Sequence, residues 1–94
     1  MTLRDDQRPV VSPDVLSRVL DGETVVLDLG SGTYFGLNEV ATRVWELANA
    51  GTPVGDIRAR LLDEFDVTPE RVEHDLEELF GALTARGLLR LEDR

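Results

Sequence analysis

Hydrophobic and polar positions change period once along the chain, near residue 38. Before that point the apolar residues come in short runs suited to strands. Val15-Leu16-Ser17-Arg18-Val19-Leu20 leads into Asp21-Gly22, and the β-branched run Thr24-Val25-Val26-Leu27-Asp28-Leu29 follows at once. Asp-Gly between two apolar runs is a strong hairpin signal, because both residues accept the left-handed backbone of a tight turn. Gly30-Ser31-Gly32 then separates the second run from Thr33-Tyr34-Phe35-Gly36-Leu37, which completes a three-stranded antiparallel meander. From Asn38, a helix cap, the spacing becomes helical: Val40, Ala41, Val44, Trp45, Leu47 and Ala48 share one face, and Gly51 ends the element. Thr52-Pro53 marks a second helix with Val54, Ile57, Leu61, Leu62 and Phe65 inward. Thr68-Pro69 opens a third, with Val72, Leu76, Leu79, Phe80 and Leu83 inward and Gly87 at a left-handed C-cap. Leu88, Leu89 and Leu91 form an apolar tail expected to fold back on the core.

Three strands followed by three helices predict an α+β domain of winged helix-turn-helix type over residues 14–94. Residues 1–13 hold four charges, a Gln and two prolines, and read as a flexible N-terminal arm with one short extended piece around Val10-Val11. No strand has an obvious fourth neighbour, so at least one sheet edge has to be covered, blunted or used.

Composition narrows the chemistry. The 94 residues include 19 acids and ten basic residues, all Arg, for a net charge of −9. Such a surface repels phosphates and anionic headgroups, which speaks against nucleic acid and membrane as partners. There is no Cys, so disulfides, thiolate metal sites and a thiol nucleophile are excluded. The charged start MTLRDDQRP lacks the apolar core of a secretory signal, and no apolar run approaches the ~20 residues that span a bilayer, so a cytoplasmic location is expected. His74, with Glu70 and Glu78 four residues either side, is the lone imidazole and reads as a solvated helix-face residue, since one or two such ligands make a poor metal site. No nucleophile, base and orienting group can be assembled around it, and neither an enzyme activity nor a cofactor is expected. Ser31, after Asp28-Leu29-Gly30, stands where an acyl carrier would have its modified serine, but a strand rather than a helix follows, which favours a plain turn. Eight acids between Asp63 and Glu78 surround the third helix, where a DNA reader of this architecture needs basic side chains.

The third strand is the most informative segment. Alternation puts Thr33, Phe35 and Leu37 on one face and Tyr34 with Gly36 on the other. A glycine inside a strand marks either a close approach of another backbone, such as a peptide added at the sheet edge, or an eased turn into the Asn38 helix.

The pattern Val26-Leu27-Asp28-Leu29, Gly32-Thr33-Tyr34-Phe35-Gly36-Leu37-Asn38-Glu39, Val44-Trp45-Glu46-Leu47, then Asp75-Leu76 in a helix ending at Gly87-Leu88-Leu89, resembles the PqqD-like family. These are leader-recognition elements of ribosomally synthesised, post-translationally modified peptides, and the resemblance covers roughly Asp14 to Leu89. It implies a winged helix-turn-helix that does not bind DNA but takes a precursor leader as an extra antiparallel strand on the third strand, in a groove closed by the third helix. Carried onto this sequence, Thr33, Tyr34, Phe35, Gly36 and Leu37 supply the sheet edge, with Gly36 admitting the leader. Val72, Asp75, Leu76 and Leu79 form the facing wall, with Val26 and Tyr34 contributing from the sheet. Asp75 either pairs with an Arg or Lys of the leader or ties down the sheet. A valine at position 36 is expected to obstruct the incoming strand. The Tyr-Phe-Gly-Leu-Asn form is similar to the stand-alone recognition proteins of lasso-peptide clusters, which implies a leader peptidase and a cyclase as further partners. The alternatives are a PqqD-type chaperone serving a radical enzyme of pyrroloquinoline quinone synthesis and, in a different class, a winged-helix DNA-binding regulator. A free edge strand also allows a weak dimer beside the monomer.

Overall fold

The computed structural model describes residues 2–93; Met1 and Arg94 lie outside the described residues. The elements run β1 (Arg8–Val11), β2 (Val15–Leu20), β3 (Glu23–Asp28), β4 (Tyr34–Leu37), α1 (Glu39–Asn49), α2 (Val54–Glu64), α3 (Pro69–Ala85) and β5 (Leu89–Glu92). β2, β3 and β4 form the expected antiparallel meander in that order, and the three helices follow it. Asp21 and Gly22 both take positive φ, 52° and 82°, so the β2–β3 hairpin closes in a two-residue turn with Leu20 opposite Glu23. In the next turn the Asp28 carboxylate accepts from the Gly30 N–H at 3.0 Å and the Ser31 hydroxyl at 2.9 Å. Ser31 is thus a turn residue.

Capping chemistry sets the helix limits. The Asn38 side chain accepts from the Ala41 N–H at 2.9 Å, and Thr68 accepts from the Arg71 N–H at 3.2 Å with Pro69 in the first helical position. Both α1 and α3 end in a Schellman motif: Gly51 and Gly87 take positive φ, and the N–H groups of Thr52 and Leu88 reach back to the carbonyls of Leu47 and Leu83, each at 3.0 Å.

α2 departs from its sequence signal. The helix starts at Val54, Pro53 occupies the cap, and Thr52 makes no side-chain cap. The N-terminal segment takes its place: the carbonyls of Gln7 and Asp5 accept from the N–H groups of Val54 and Gly55 at 2.9 and 3.0 Å. The stretch expected to be a flexible arm is therefore built into the fold. β1 pairs antiparallel with β5, Arg8 opposite Glu92 and Val11 opposite Leu89, in a two-stranded sheet separate from the meander. Leu3 is buried in the core. Arg58 of α2 forks onto Glu73 of α3 at 2.5 and 3.1 Å, donates to the Leu3 carbonyl at 3.1 Å and pairs with Asp5. The apolar tail folds back as foreseen, but as a strand with a partner from the opposite end of the chain.

Gly55 shows how closely this segment is held. A Cβ there would sit 2.8 Å from Asp5 Cβ and 3.3 Å from Asp5 Cα. In an open helix Gly→Ala stabilises by about 0.5–1 kcal/mol. Here Gly55→Ala is expected to destabilise instead, because neither Asp5 atom is the end of a flexible side chain. A thermal melt of the variant that rises above wild type would contradict this.

The core is filled by Phe80, Ile57, Leu61, Leu76 and Leu83 from the helices and Val26 from β3. Leu62, counted inward from its spacing, is 40% exposed, and the face of α2 is narrower than its sequence pattern. α1 is tied to α2 by Arg43, whose guanidinium forks onto Glu64 at 2.7 and 3.0 Å. The hydrogen bonds from Arg43 hold the Glu64 carboxyl below its ordinary range. A carboxyl depressed in the folded state stabilises above its unfolded value, about 4.5, and that contribution is lost as pH falls through the folded value. Wild type is therefore expected to lose more stability than Glu64→Gln between about pH 6 and pH 3, read as the difference in melting temperature. Among the described residues no helix is long and apolar enough to cross a membrane.

Candidate functional site

β4 is an edge strand, paired on one side only, to β3. The ladder decides which of its backbone groups are free. The Asp28 N–H donates to the Thr33 carbonyl at 2.9 Å, so these two are a bonded pair. Antiparallel pairs alternate, which makes Phe35 opposite Val26 and Leu37 opposite Thr24 bonded pairs as well. The N–H and C=O groups of Tyr34 and Gly36 then point away from β3 to the open edge. Buried Thr42 donates to the Leu37 carbonyl at 3.3 Å and fixes the passage from β4 into α1.

Beside this edge lies a groove of about 560 Å³. Phe35, Gly36 and Leu37 line it from β4, Val40, Ala41 and Val44 from α1, Leu61 from α2, and Leu76, Leu79 and Ala82 from α3, with Val67 between the helices. Asn38, Arg71, His74, Asp75 and Glu78 form its polar rim. Arg86, just beyond α3, places its guanidinium 4.7 Å from the centre of the Phe35 ring and clasps β4 to α3 at one end.

The residues singled out from the sequence fall into three groups. Phe35, Gly36, Leu37, Asp75, Leu76 and Leu79 line the groove. Leu37 and Leu76 are its floor, being 3% and 1% exposed, while Phe35 and Leu79 are half-buried walls. Val26 and Val72 are buried in the core and do not line it: Val26 supports β4 from behind, opposite Phe35, and Val72 packs beneath α3. Tyr34, 74% exposed, and Thr33 lie outside it too, Tyr34 on the outer face of the sheet and Thr33 in the turn, where its Oγ1 is 2.6 Å from the Ser31 hydroxyl.

Gly36 corrects an expectation. A Cβ built there meets nothing within 4 Å, and alternation directs it to the outer face rather than to the open edge. Strand pairing at this edge therefore does not require a glycine, and a valine would stand clear of an incoming backbone. Asp75 does not tie down the sheet: it pairs with Arg71, one turn back on its own helix, at 3.2 Å. Such an exposed pair contributes about 0.3–0.5 kcal/mol and is easily exchanged for another partner. His74 is exposed as expected, with Nε2 3.3 Å from the Glu78 carboxylate, but both stand on the groove rim.

Sequence periodicity missed the contribution of α1. Val40, Ala41 and Val44 read from the sequence only as part of one apolar helix face, and the breadth of that face, wider than one packing partner needs, is the available signal. Among the described residues no group of three or more His, Asp or Glu side chains is arranged to hold a metal ion.

The family model described as coenzyme PQQ synthesis protein D (PqqD) matches residues 23–89. Two solved structures are similar over nearly the whole fold. TbiB1 in complex with the TbiA(beta) leader peptide is 38% identical, with a TM-score of 0.79, and the match covers 85% of this chain and 93% of that one. Lasso peptide synthetase B1 complexed with the leader peptide is 26% identical, with a TM-score of 0.78 over 87% of this chain and 96% of that one. No curated protein sequence matches the chain. The family match runs from the first residue of β3 to the first of β5, so it takes in the free edge of β4 and the facing wall of α3 together, and the chain belongs to the PqqD family.

Proposed function

We propose that this protein is a non-catalytic recognition protein that binds the leader of a ribosomally synthesised precursor, of lasso type, by strand addition to β4. The observation that carries this reading is the free edge at Tyr34 and Gly36 standing beside an apolar groove under α3. Main-chain bonds at such an edge supply affinity, and alternate side chains of the added strand enter the groove and supply specificity. The lasso pathway is favoured over quinone synthesis because both similar structures are B1 proteins holding a leader. Leader side chains would rest on Leu76 and Leu79 between Phe35 and Val40. An Arg or Lys of the leader would displace Arg71 from Asp75, in keeping with the five acids between Glu70 and Glu78. The same acids oppose the entry of α3 into a DNA groove. The protein would work by raising the precursor's effective concentration at the leader peptidase and then the cyclase.

The test is a titration of isotope-labelled protein with the synthetic leader of the precursor encoded beside it. Shifts confined to Tyr34–Leu37 and to the groove side of α3 are the expected result; no shifts at millimolar peptide, together with tight salt-sensitive binding of duplex DNA, would overturn it. Leu79→Glu is expected to weaken the leader by about tenfold or more with little loss of stability, because this half-buried wall residue would set a carboxylate against apolar leader side chains. Calorimetric titration of the folded variant checks it.

A further inference from the structure

Among the described residues six arginines pair with a carboxylate, and Arg8 donates to the Gly51 carbonyl at 3.1 Å. Arg18 and Arg86 have no hydrogen-bond or ion-pair partner there, although the chain carries 19 acids. Arg18 lies on β2, which does not line the groove, whereas Arg86 stands at the groove's end. Its contact with the Phe35 ring, 4.7 Å from the centroid, supplies attraction for the charge but no oxygen acceptor for the five N–H donors. Those donors form the planar fork that matches a carboxylate.

The register of β4 shows what else reaches this place. A strand added antiparallel, as throughout the meander, bonds to the free groups of Tyr34 and Gly36, and one of its residues then falls directly opposite Phe35. Residues opposite one another share a face, so that side chain enters the groove beside the Phe35 ring. Ala82, one turn before Arg86 on α3, presents only a methyl group to the groove and leaves the way to the guanidinium open. An antiparallel strand passes Leu37 first and Tyr34 last, so Arg86, at the Phe35 end, meets the later part of the bound segment.

We infer that Arg86 binds a carboxylate of the leader, the Asp or Glu that falls opposite Phe35 or two positions further toward the leader's C-terminal end. The inference rests on strand addition at β4. It gives the groove an order of charge: Asp75 and Glu78 on the earlier part of α3 suit a basic side chain, and Arg86 suits an acidic one. A leader laid in the opposite direction would set acid against acid and base against Arg86, so this order selects direction and register as well as affinity. In a chain of net charge −9, an acid of the leader placed elsewhere along this wall is repelled.

The probes are the synthetic leader of the precursor encoded beside this protein and variants of it in which each Asp or Glu in turn becomes its amide. Arg86 is exposed and glutamine keeps part of its stem, so Arg86→Gln should stay folded, which a thermal melt verifies. By calorimetry Arg86→Gln is expected to lower leader affinity by about tenfold. One amide variant should show the same loss against wild type, and the two losses together should not add. Arg86→Glu combined with Arg at that leader position is expected to return affinity to within about threefold of wild type. In spectra of isotope-labelled wild type the Arg86 Nε–H should shift with the leader and not with that amide variant, a readout that needs no substitution in the protein. An equal loss for Arg86→Gln with every leader would mean that Arg86 only braces Phe35, and would overturn the inference while leaving strand addition in place. A set in which no amide change weakens binding, or a bound segment without an acid, would overturn it in the same way. Failure of the wild-type protein to bind leader would overturn the reading beneath this one and the inference with it.

Discussion

Replacing Gly36 by proline should lower leader affinity by about a hundredfold while the domain remains folded, because the change removes one edge hydrogen bond and sets ring carbons where the leader backbone must lie. The Gly36 N–H faces the open edge and takes no part in pairing with β3, so the ladder of the meander is untouched. Proline is tolerated on an edge strand at such a position. Gly36→Val is the companion variant. Its side chain would stand on the outer face with nothing within 4 Å, and affinity is expected to stay within about threefold of wild type. Strand addition thus predicts opposite outcomes for two substitutions at one residue. Equal losses for proline and valine, measured by calorimetry on folded protein, would mean that the peptide reads the side-chain face of position 36 and not its backbone.

Removing residues 1–11 should cost about 3–5 kcal/mol and lower the melting temperature by roughly 12–40 °C. Burial of Leu3 contributes about 1.5–3 kcal/mol, the two carbonyl caps on α2 about 1 kcal/mol each, and the Asp5 and Leu3 contacts to Arg58 add to these, offset in part by the entropy of ordering the segment. Leu89 and Leu91 would also lose their strand partners, Val11 and Pro9. The loss is a large fraction of the stability available to a domain of this size. A truncated protein that melts with wild type would show that the segment is an arm after all. None of residues 1–11 lines the groove, so truncated protein that is still folded at low temperature should bind leader nearly as well.

Much of the architecture was legible because it is local. Asp21-Gly22 carries its hairpin in two residues, and Asn38, Thr68, Gly51 and Gly87 mark helix ends through bonds that reach three to five positions along the chain. Of the ten residues named on the meander and the third helix, six line the groove. Val26 and Val72 were misplaced because an apolar residue on an inward face reads the same whether it meets a core or a groove. Tyr34 was misplaced for a related reason: alternation separates two faces of a strand without saying which of them a neighbouring helix covers.

The sequence by itself determined the meander, the three helices, the caps of α1 and α3, the absence of thiol chemistry and the acidic α3, since each follows from residues within a few positions of one another or from composition alone. Tertiary structure alone decided the rest. Pairing of β1 with β5 joins residues some eighty positions apart, and the capping of α2 by Asp5 and Gln7 joins residues nearly fifty apart. No periodicity encodes such partners, because period fixes which face a side chain takes and not what lies opposite. The direction of free hydrogen-bonding groups on β4 has the same origin: it depends on the parity of pairing with β3, and a slip of one residue would turn Phe35 instead of Gly36 toward an incoming peptide.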